Sequence, residues 1–330
     1  MKKIFITLAA VAAVACSNDQ MVDMPKGAAI EFDKAFVENS TRAAQDITKD
    51  NIADFGVFGW VEAGEEQGQI FNNTRVYKQD GRFIYDNAQF WIGGAQYYFA
   101  AMAPKPVQNE AVAWSYTSQD ATNGQISFDN EAAAAQQDLL FDFVTPAVTP
   151  ESITTTPAPV AFNFNHILSR VKFSFKNGFA PTSNISLEVQ DVHITNASAD
   201  GTINVTNGVL AADWAVENEW NIAFGNTAIE NRADAVMLPT DVAKTAHLYL
   251  IPTDATYNVT FKVVLYQAGV RLREYNRSAS VTVDMERGKS YELKATLDQN
   301  NTADHGALSP IEFTVGNVSD WSEYENKTIN

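Results

Sequence analysis

The sequence predicts an all-β protein built as two tandem β-sandwich domains, and three observations carry that expectation. Apolar residues alternate with polar ones at period two over much of the chain, most clearly at Phe162 and Phe164 and then at Val171, Phe173 and Phe175; this is the pattern of half-buried strands. Turn dipeptides ending in glycine recur between such runs, at Asp80-Gly81, Asn123-Gly124, Asn177-Gly178, Asp200-Gly201, Asn207-Gly208 and Arg287-Gly288, as the hairpins of a sandwich require. A Thr/Pro-rich interval from Thr145 to Pro159 holds four of the eleven prolines and no alternation, so it reads as a linker between two β-rich blocks.

The chain opens with Lys2 and Lys3, an uncharged apolar run from Ile4 to Val14, and Ala13-Val14-Ala15-Cys16. A run this short cannot cross a bilayer core of roughly 30 Å as a helix, and with basic residues before it and small residues after it, it reads as a signal peptide. Small residues ahead of Cys16 fit a lipobox, so residues 1–16 are expected to be a leader and Cys16 a lipid-attachment site. The plainer alternative discards Cys16 with the leader. Cys16 is the only cysteine, so on either reading the exported body must be stabilised by its core without disulfides.

Residues 17–42 are expected to form a polar tether and a first strand, Ala28 to Val37, with Ile30 and Phe32 facing inward. Residues 43–158 then make an N-terminal sandwich and 159–330 a C-terminal one. The strand pattern returns at Val57 and Phe58, Tyr97 to Phe99, Leu248 and Leu250, Val259 to Leu265, Val281 and Val283, Tyr291 to Leu297 and Ile311 to Val315. One short helix is expected, over Glu131 to Gln137, where four alanines run together behind a cap at Asp129 or Asn130.

Composition narrows the function. A net charge of −17 argues against nucleic acid, which needs clustered lysine and arginine against its phosphates. The four histidines, His166, His193, His247 and His305, are scattered and form no metal-ligand spacing, and no nucleophile elbow, dinucleotide loop or phosphate loop is present. The chain is therefore read as a non-enzyme that needs no metal or cofactor. Of the six tryptophans, Trp214 and Trp220 lie in an acidic, loop-like stretch and are the candidates for contact with a sugar or other ligand.

Two terminal features make sense together. Arg42 sits in the polar segment Glu38-Asn39-Ser40-Thr41-Arg42-Ala43-Ala44 behind the first strand, where an arginine-specific protease could cut between Arg42 and Ala43. Losing that strand would leave an open sheet edge and an apolar slot. At the other end Ile311, Phe313 and Val315 alternate with polar residues, and Val318 and Trp321 extend the apolar series. A strand at about 311–330 is placed to add itself to a neighbour's open edge, and head-to-tail repetition of that contact builds a filament.

The layout resembles the fimbrillin family of Bacteroides-type bacteria. The residues that carry the resemblance are Cys16 followed by Ser17-Asn18-Asp19, the Ser40-Thr41-Arg42 junction, Phe55-Gly56-Val57-Phe58, and the strand from Phe162 to Phe173. They continue with Met237-Leu238-Pro239, Arg287-Gly288-Lys289-Ser290-Tyr291, and Ile311-Glu312-Phe313-Thr314-Val315 ahead of Trp321. The resemblance implies two transthyretin-like β-sandwich domains and export to the outer-membrane surface as a lipoprotein. It also implies cleavage after an arginine, carried over as Arg42, by a trypsin-like surface protease, and polymerisation with other fimbrial subunits by donor-strand exchange. From another class, the alternative is a monomeric surface lipoprotein, a tip adhesin included, that binds a glycan or other ligand and is never processed.

Overall fold

The structure is a computed structural model, and it describes residues 29–33, 35–37, 46–48, 50–106, 112–130, 136–232, 234–302, 310–316 and 318–320. Strands dominate it as expected; among the described residues the only α-helix is the single turn Gln299–Thr302. No helix there is long and apolar enough to cross a membrane.

The first of three seven-stranded sheets has the order Phe36–Val37, Asn163–His166, Leu140–Val144, Gln96–Ala103, Asp54–Ala63, Glu66–Gln79, Arg82–Ile84. Its central strands are apolar on both faces because both faces are covered. In Asp54–Ala63, Phe55, Val57 and Val61 enter one core while Phe58 and Trp60 enter another. Gln96–Ala103 repeats the division, with Tyr97, Phe99, Ala101 and Ala103 on the first side and Ala100 and Met102 on the second. Gly59 faces the first side, where a Cβ would stand 2.7 Å from the Phe71 ring and 3.0 Å from that of Phe99; only glycine lets those rings close over the strand.

The other two sheets face each other across a third core, built on Val171, Phe173, Phe175, Leu187, Val189, Val263 and Leu293 among others. One contains Ser169–Asn177 paired in parallel with Lys289–Leu297. The other is ordered Val270–Asp284, Asp254–Gln267, Ile185–Thr206, Gly124–Asn130, Val112–Ser118.

Three expectations shift against this architecture. The division at 158/159 does not coincide with the change of sheet, because Asn163–His166 pairs with Leu140–Val144 in the first sheet and the next sheet begins only at Ser169. Phe162 and Phe164, both buried, hold that strand in the first core. The two blocks also share a sheet: Ile185–Thr206 runs for 22 residues, roughly 70 Å at strand rise, long enough to serve both cores and to pair with Gly124–Asn130 from the earlier block.

The interval from Thr145 to Pro159 is not a free linker. Thr149 is buried and accepts a 2.9 Å hydrogen bond from the Ala95 N–H, and Ile153 packs on the first core. Asp200-Gly201 is no turn but lies inside the long strand, where a Cβ on Gly201 would stand 2.5 Å from the Ala215 carbonyl oxygen. That glycine admits a close neighbour at a pairing irregularity. Asp80-Gly81 and Asn207-Gly208 do turn, both residues of each pair having positive φ. Of the expected helix, 131–135 lie outside the described residues, and Gln136 and Gln137 belong to no helix.

Candidate assembly site

Residues 29–37 form the seam of the first sheet. Phe36–Val37 pairs in parallel with Asn163 and Phe164 at one end of the strand order, while Phe32 bridges Phe83, in the strand at the other end, and also Val160. The segment thus closes the sheet on itself. Its backbone is held by Ile30 N–H donating to the Gln89 carbonyl (2.8 Å), Asp33 N–H to Val160 (2.9 Å) and Val160 N–H to Glu31 (2.8 Å), with the Tyr85 hydroxyl donating to the Ile30 carbonyl at 2.7 Å. Ile30, Phe32, Ala35 and Val37 are all buried in the first core. Phe32 sits among Phe55, Phe71, Tyr85, Phe99 and Phe162, ring centroids 5.5–6.4 Å away. Without this segment two strand edges and a lined slot stand open.

At the other terminus, Thr314–Val315 and Ser319–Asp320 lie antiparallel on Lys289–Leu297. Ile311 is buried in the third core and Phe313 packs against it, its ring 5.4, 5.8 and 6.2 Å from those of Phe173, Phe175 and Phe261. Val315 and Val318 are exposed. In this structure, then, the expected donor strand caps its own domain through two very short pairings and two inward side chains. Trp321, Cys16, Arg42 and Ala43 lie outside the described residues.

Between the two termini is a buried polar junction that sequence reading passed over. Asp46, four residues after Arg42, is 1% exposed and ion-paired with Arg170, which is 0% exposed. Tyr249 donates to the same carboxylate at 2.7 Å, and Arg170 Nε donates to Ser290 Oγ at 3.0 Å. Next to it, Asp138 accepts from the Ile47 N–H at 2.9 Å and lies 2.9 Å from His166 Nδ1. The chain after the Arg42 junction is therefore tied to strands of the later block through Arg170 and Tyr249 and to Asp138 of the earlier one. The legible signal was Ser169-Arg170-Val171-Lys172-Phe173: charges inside a strand flanked by apolar neighbours are rarely buried without partners.

Charge accumulates on that strand and its neighbour. Burial lowers the Lys172 amine to about 8, partly offset by Glu292. Burial first, and then the charges of Arg170, Lys172 and Lys244, hold the His247 imidazole down to about 3. His247 stays neutral in the folded chain while the unfolded chain takes up its proton below 6.5, so the folded state binds fewer protons and loses stability as pH falls from 6.5 toward 3. His247→Asn should remove about 1–2 kcal/mol of the loss between pH 7 and pH 5, read as a smaller shift in urea midpoint between the two pH values than the parent shows.

The ligand-contact candidates move inward. Trp214 is 6% exposed and its Nε1 donates to the Ile167 carbonyl at 3.2 Å, because it caps the core shared by the first and third sheets. Trp220 lies in the strand Ala215–Gly225 and packs against the third core. Trp214 is closed off from solvent, while Trp220 is half-buried. Among the described residues no group of His, Cys, Asp or Glu is arranged to hold a metal.

The profile of the Fimbrillin-like family matches residues 41–321. Among solved structures, the chain is similar to a candidate cell-adhesion protein of Bacteroides ovatus, at 19% identity, 90% of this chain, 98% of that one and a TM-score of 0.47. It is similar also to one of Bacteroides uniformis, at 15% identity, 90% and 99% coverage and a TM-score of 0.47. The fimbrial anchor protein Mfa2 of Porphyromonas gingivalis is a third, at 9% identity, 89% and 96% coverage and a TM-score of 0.35. No curated protein matches the sequence. Because the family match spans most of the chain, from residue 41 to 321, the chain belongs to the Fimbrillin-like family, which comprises surface fimbrial and adhesion proteins rather than enzymes.

Proposed function

We propose that this chain is a structural subunit of a surface fimbria: exported as a lipoprotein through Cys16, cut after Arg42 by an arginine-specific surface protease, and joined to its neighbours by donor-strand exchange in support of adhesion. One observation carries the reading. The segment ahead of Arg42 fills the seam of the first sheet with four buried apolar side chains, Ile30, Phe32, Ala35 and Val37, while among the described residues the opposite terminus pairs with its own sheet over two residues at Thr314–Val315 and two at Ser319–Asp320. Cleavage creates an acceptor and the far terminus is the donor, so the contact is heterologous and open-ended, as a filament needs. The lipid on Cys16 then serves delivery to the outer membrane and leaves with the first strand.

Incubating the purified precursor with an arginine-specific protease should yield a chain that begins at Ala43 by N-terminal sequencing, together with ladders on gels that collapse on boiling. Arg42→Ala should keep the precursor monomeric. Wild-type precursor that is cut at Arg42 yet stays monomeric would sink the polymer reading. Deleting 311–330 is a less clean test, because Ile311 and Phe313 also pack in the third core.

A further inference from the structure

The two termini carry related segments. Ile30-Glu31-Phe32-Asp33-Lys34-Ala35-Phe36-Val37 and Ile311-Glu312-Phe313-Thr314-Val315-Gly316-Asn317-Val318 share four of eight positions, the isoleucine, glutamate, phenylalanine and final valine. They share an exposure pattern as well: Ile30 and Phe32 face inward with Glu31 and Asp33 exposed, and Ile311 and Phe313 face inward with Glu312 and Thr314 exposed. Building on the strand exchange proposed above, we infer that the acceptor groove of this chain is matched to its own C-terminus in one register. A second copy inserts with Ile311 in the Ile30 site, Phe313 in the Phe32 site, Gly316 in the Ala35 site and Val318 in the Val37 site.

The backbone permits this register. Groove bonds come from the N–H of Ile30 and Asp33 and the carbonyl of Glu31; Ile311, Thr314 and Glu312 supply the same groups. Pro310, which has no N–H, falls at the place of Ala29, ahead of the first bonding N–H. The side chains fit like for like. Phe313 exchanges three ring neighbours in its own domain for the five that surround Phe32. Gly316 is smaller than the buried Ala35 it replaces and so cannot clash. A slip of one residue would turn Ile311 and Phe313 toward solvent. A slip of two would set Ile311 or Val315 in the five-ring site and leave part of it empty.

The register predicts which residues meet across the subunit boundary. Phe32 bridges Phe83 antiparallel, so Asp33 is opposite Arg82, and in the exchanged state Thr314 of one copy is opposite Arg82 of the next. Precursor carrying Cys16→Ser, Thr314→Cys and Arg82→Cys is treated with arginine-specific protease and then oxidised, since a disulfide closes only between cysteines directly opposite each other. Thr314 and Arg82 are exposed, so these two substitutions avoid the cores, and light scattering reports whether polymer has formed. The expected result is a covalent ladder on denaturing gels, reversed by reductant and absent when Glu312→Cys replaces Thr314→Cys. Polymer that links through Glu312→Cys, or through neither cysteine, overturns the register while leaving strand exchange standing. Failure of the wild-type chain to polymerise after cleavage removes the reading beneath both.

Discussion

Arg170→Met should destabilise the chain by about 3–5 kcal/mol, a fall in melting temperature on the order of 10 °C for a protein of this size class. The reason is what the substitution strands rather than what it removes. Asp46 is 1% exposed, and in the wild type its carboxylate is met by the Arg170 guanidinium and the Tyr249 hydroxyl. Methionine fills much of the arginine volume but takes the guanidinium away from a buried carboxylate, and a buried charge that loses its counter-charge is among the largest single-site penalties known. The conservative partner change distinguishes this account from a packing defect. Asp46→Leu with Arg170→Met removes both charges, and it should recover most of the loss, since a buried pair is often no more stabilising than apolar residues of similar volume. Thermal melts of the four members of the cycle give the coupling directly. If the double variant melts as low as Arg170→Met, the penalty belongs to packing around Ser169–Asn177, and the ion-pair account fails.

How far the sequence led depended on what each feature rests on. Alternation is a one-dimensional property, so the strands around Phe55, Phe99, Phe173 and Val263 were legible, and so was the inward face of Ile30 and Phe32. Hairpins at Asp80-Gly81 and Asn207-Gly208 were legible because the left-handed backbone there asks for those residues. Asp200-Gly201 misled because the same glycine that permits a turn also permits a neighbouring strand to come close, and the 22-residue length of Ile185–Thr206 is decided by two distant cores. Thr145–Pro159 misled for a similar reason: proline forbids pairing but does not forbid packing, and Thr149 and Ile153 are held by contacts with residues far off in the chain. Trp214 and Trp220 were placed outside by their acidic neighbours, yet those neighbours face solvent while the Trp214 indole is buried and that of Trp220 packs half-buried against the third core. The Asp46–Arg170 pair joins residues more than a hundred positions apart, and no local pattern reveals such a partner. At the termini the balance is different, because the proposed strand exchange would depend on local alternation at each end, and alternation is what a sequence displays.

A chain that begins at Ala43 and is kept from donating its own C-terminus should be the least stable form of this protein. Removing residues 29–37 withdraws Ile30, Phe32 and Val37 from full burial, at about 1.5–3 kcal/mol each. It also breaks the hydrogen bonds to Gln89 and Val160 and the pairing with Asn163 and Phe164, at about 0.5–1.5 kcal/mol net per bond. A sum on the order of 5–10 kcal/mol rivals the whole stability of an ordinary domain, about 5–15 kcal/mol. The truncated monomer, held dilute, should therefore melt well below the precursor or expose its first core to a hydrophobic dye. Adding a peptide of residues 29–37 should reverse this by mass action, contributing about 2.7 kcal/mol at a hundredfold excess over its Kd. The same peptide carrying Phe32→Ala should lose about 3–5 kcal/mol of affinity, a hundredfold or more in concentration, because the five rings around that site keep their shape and an alanine leaves the slot unfilled. A truncated chain that melts with the precursor, or a peptide that rescues equally well with alanine at position 32, would mean that the seam closes without this segment. Proteolysis at Arg42 would then create no acceptor, and the proposed assembly would lose the energy difference that drives it.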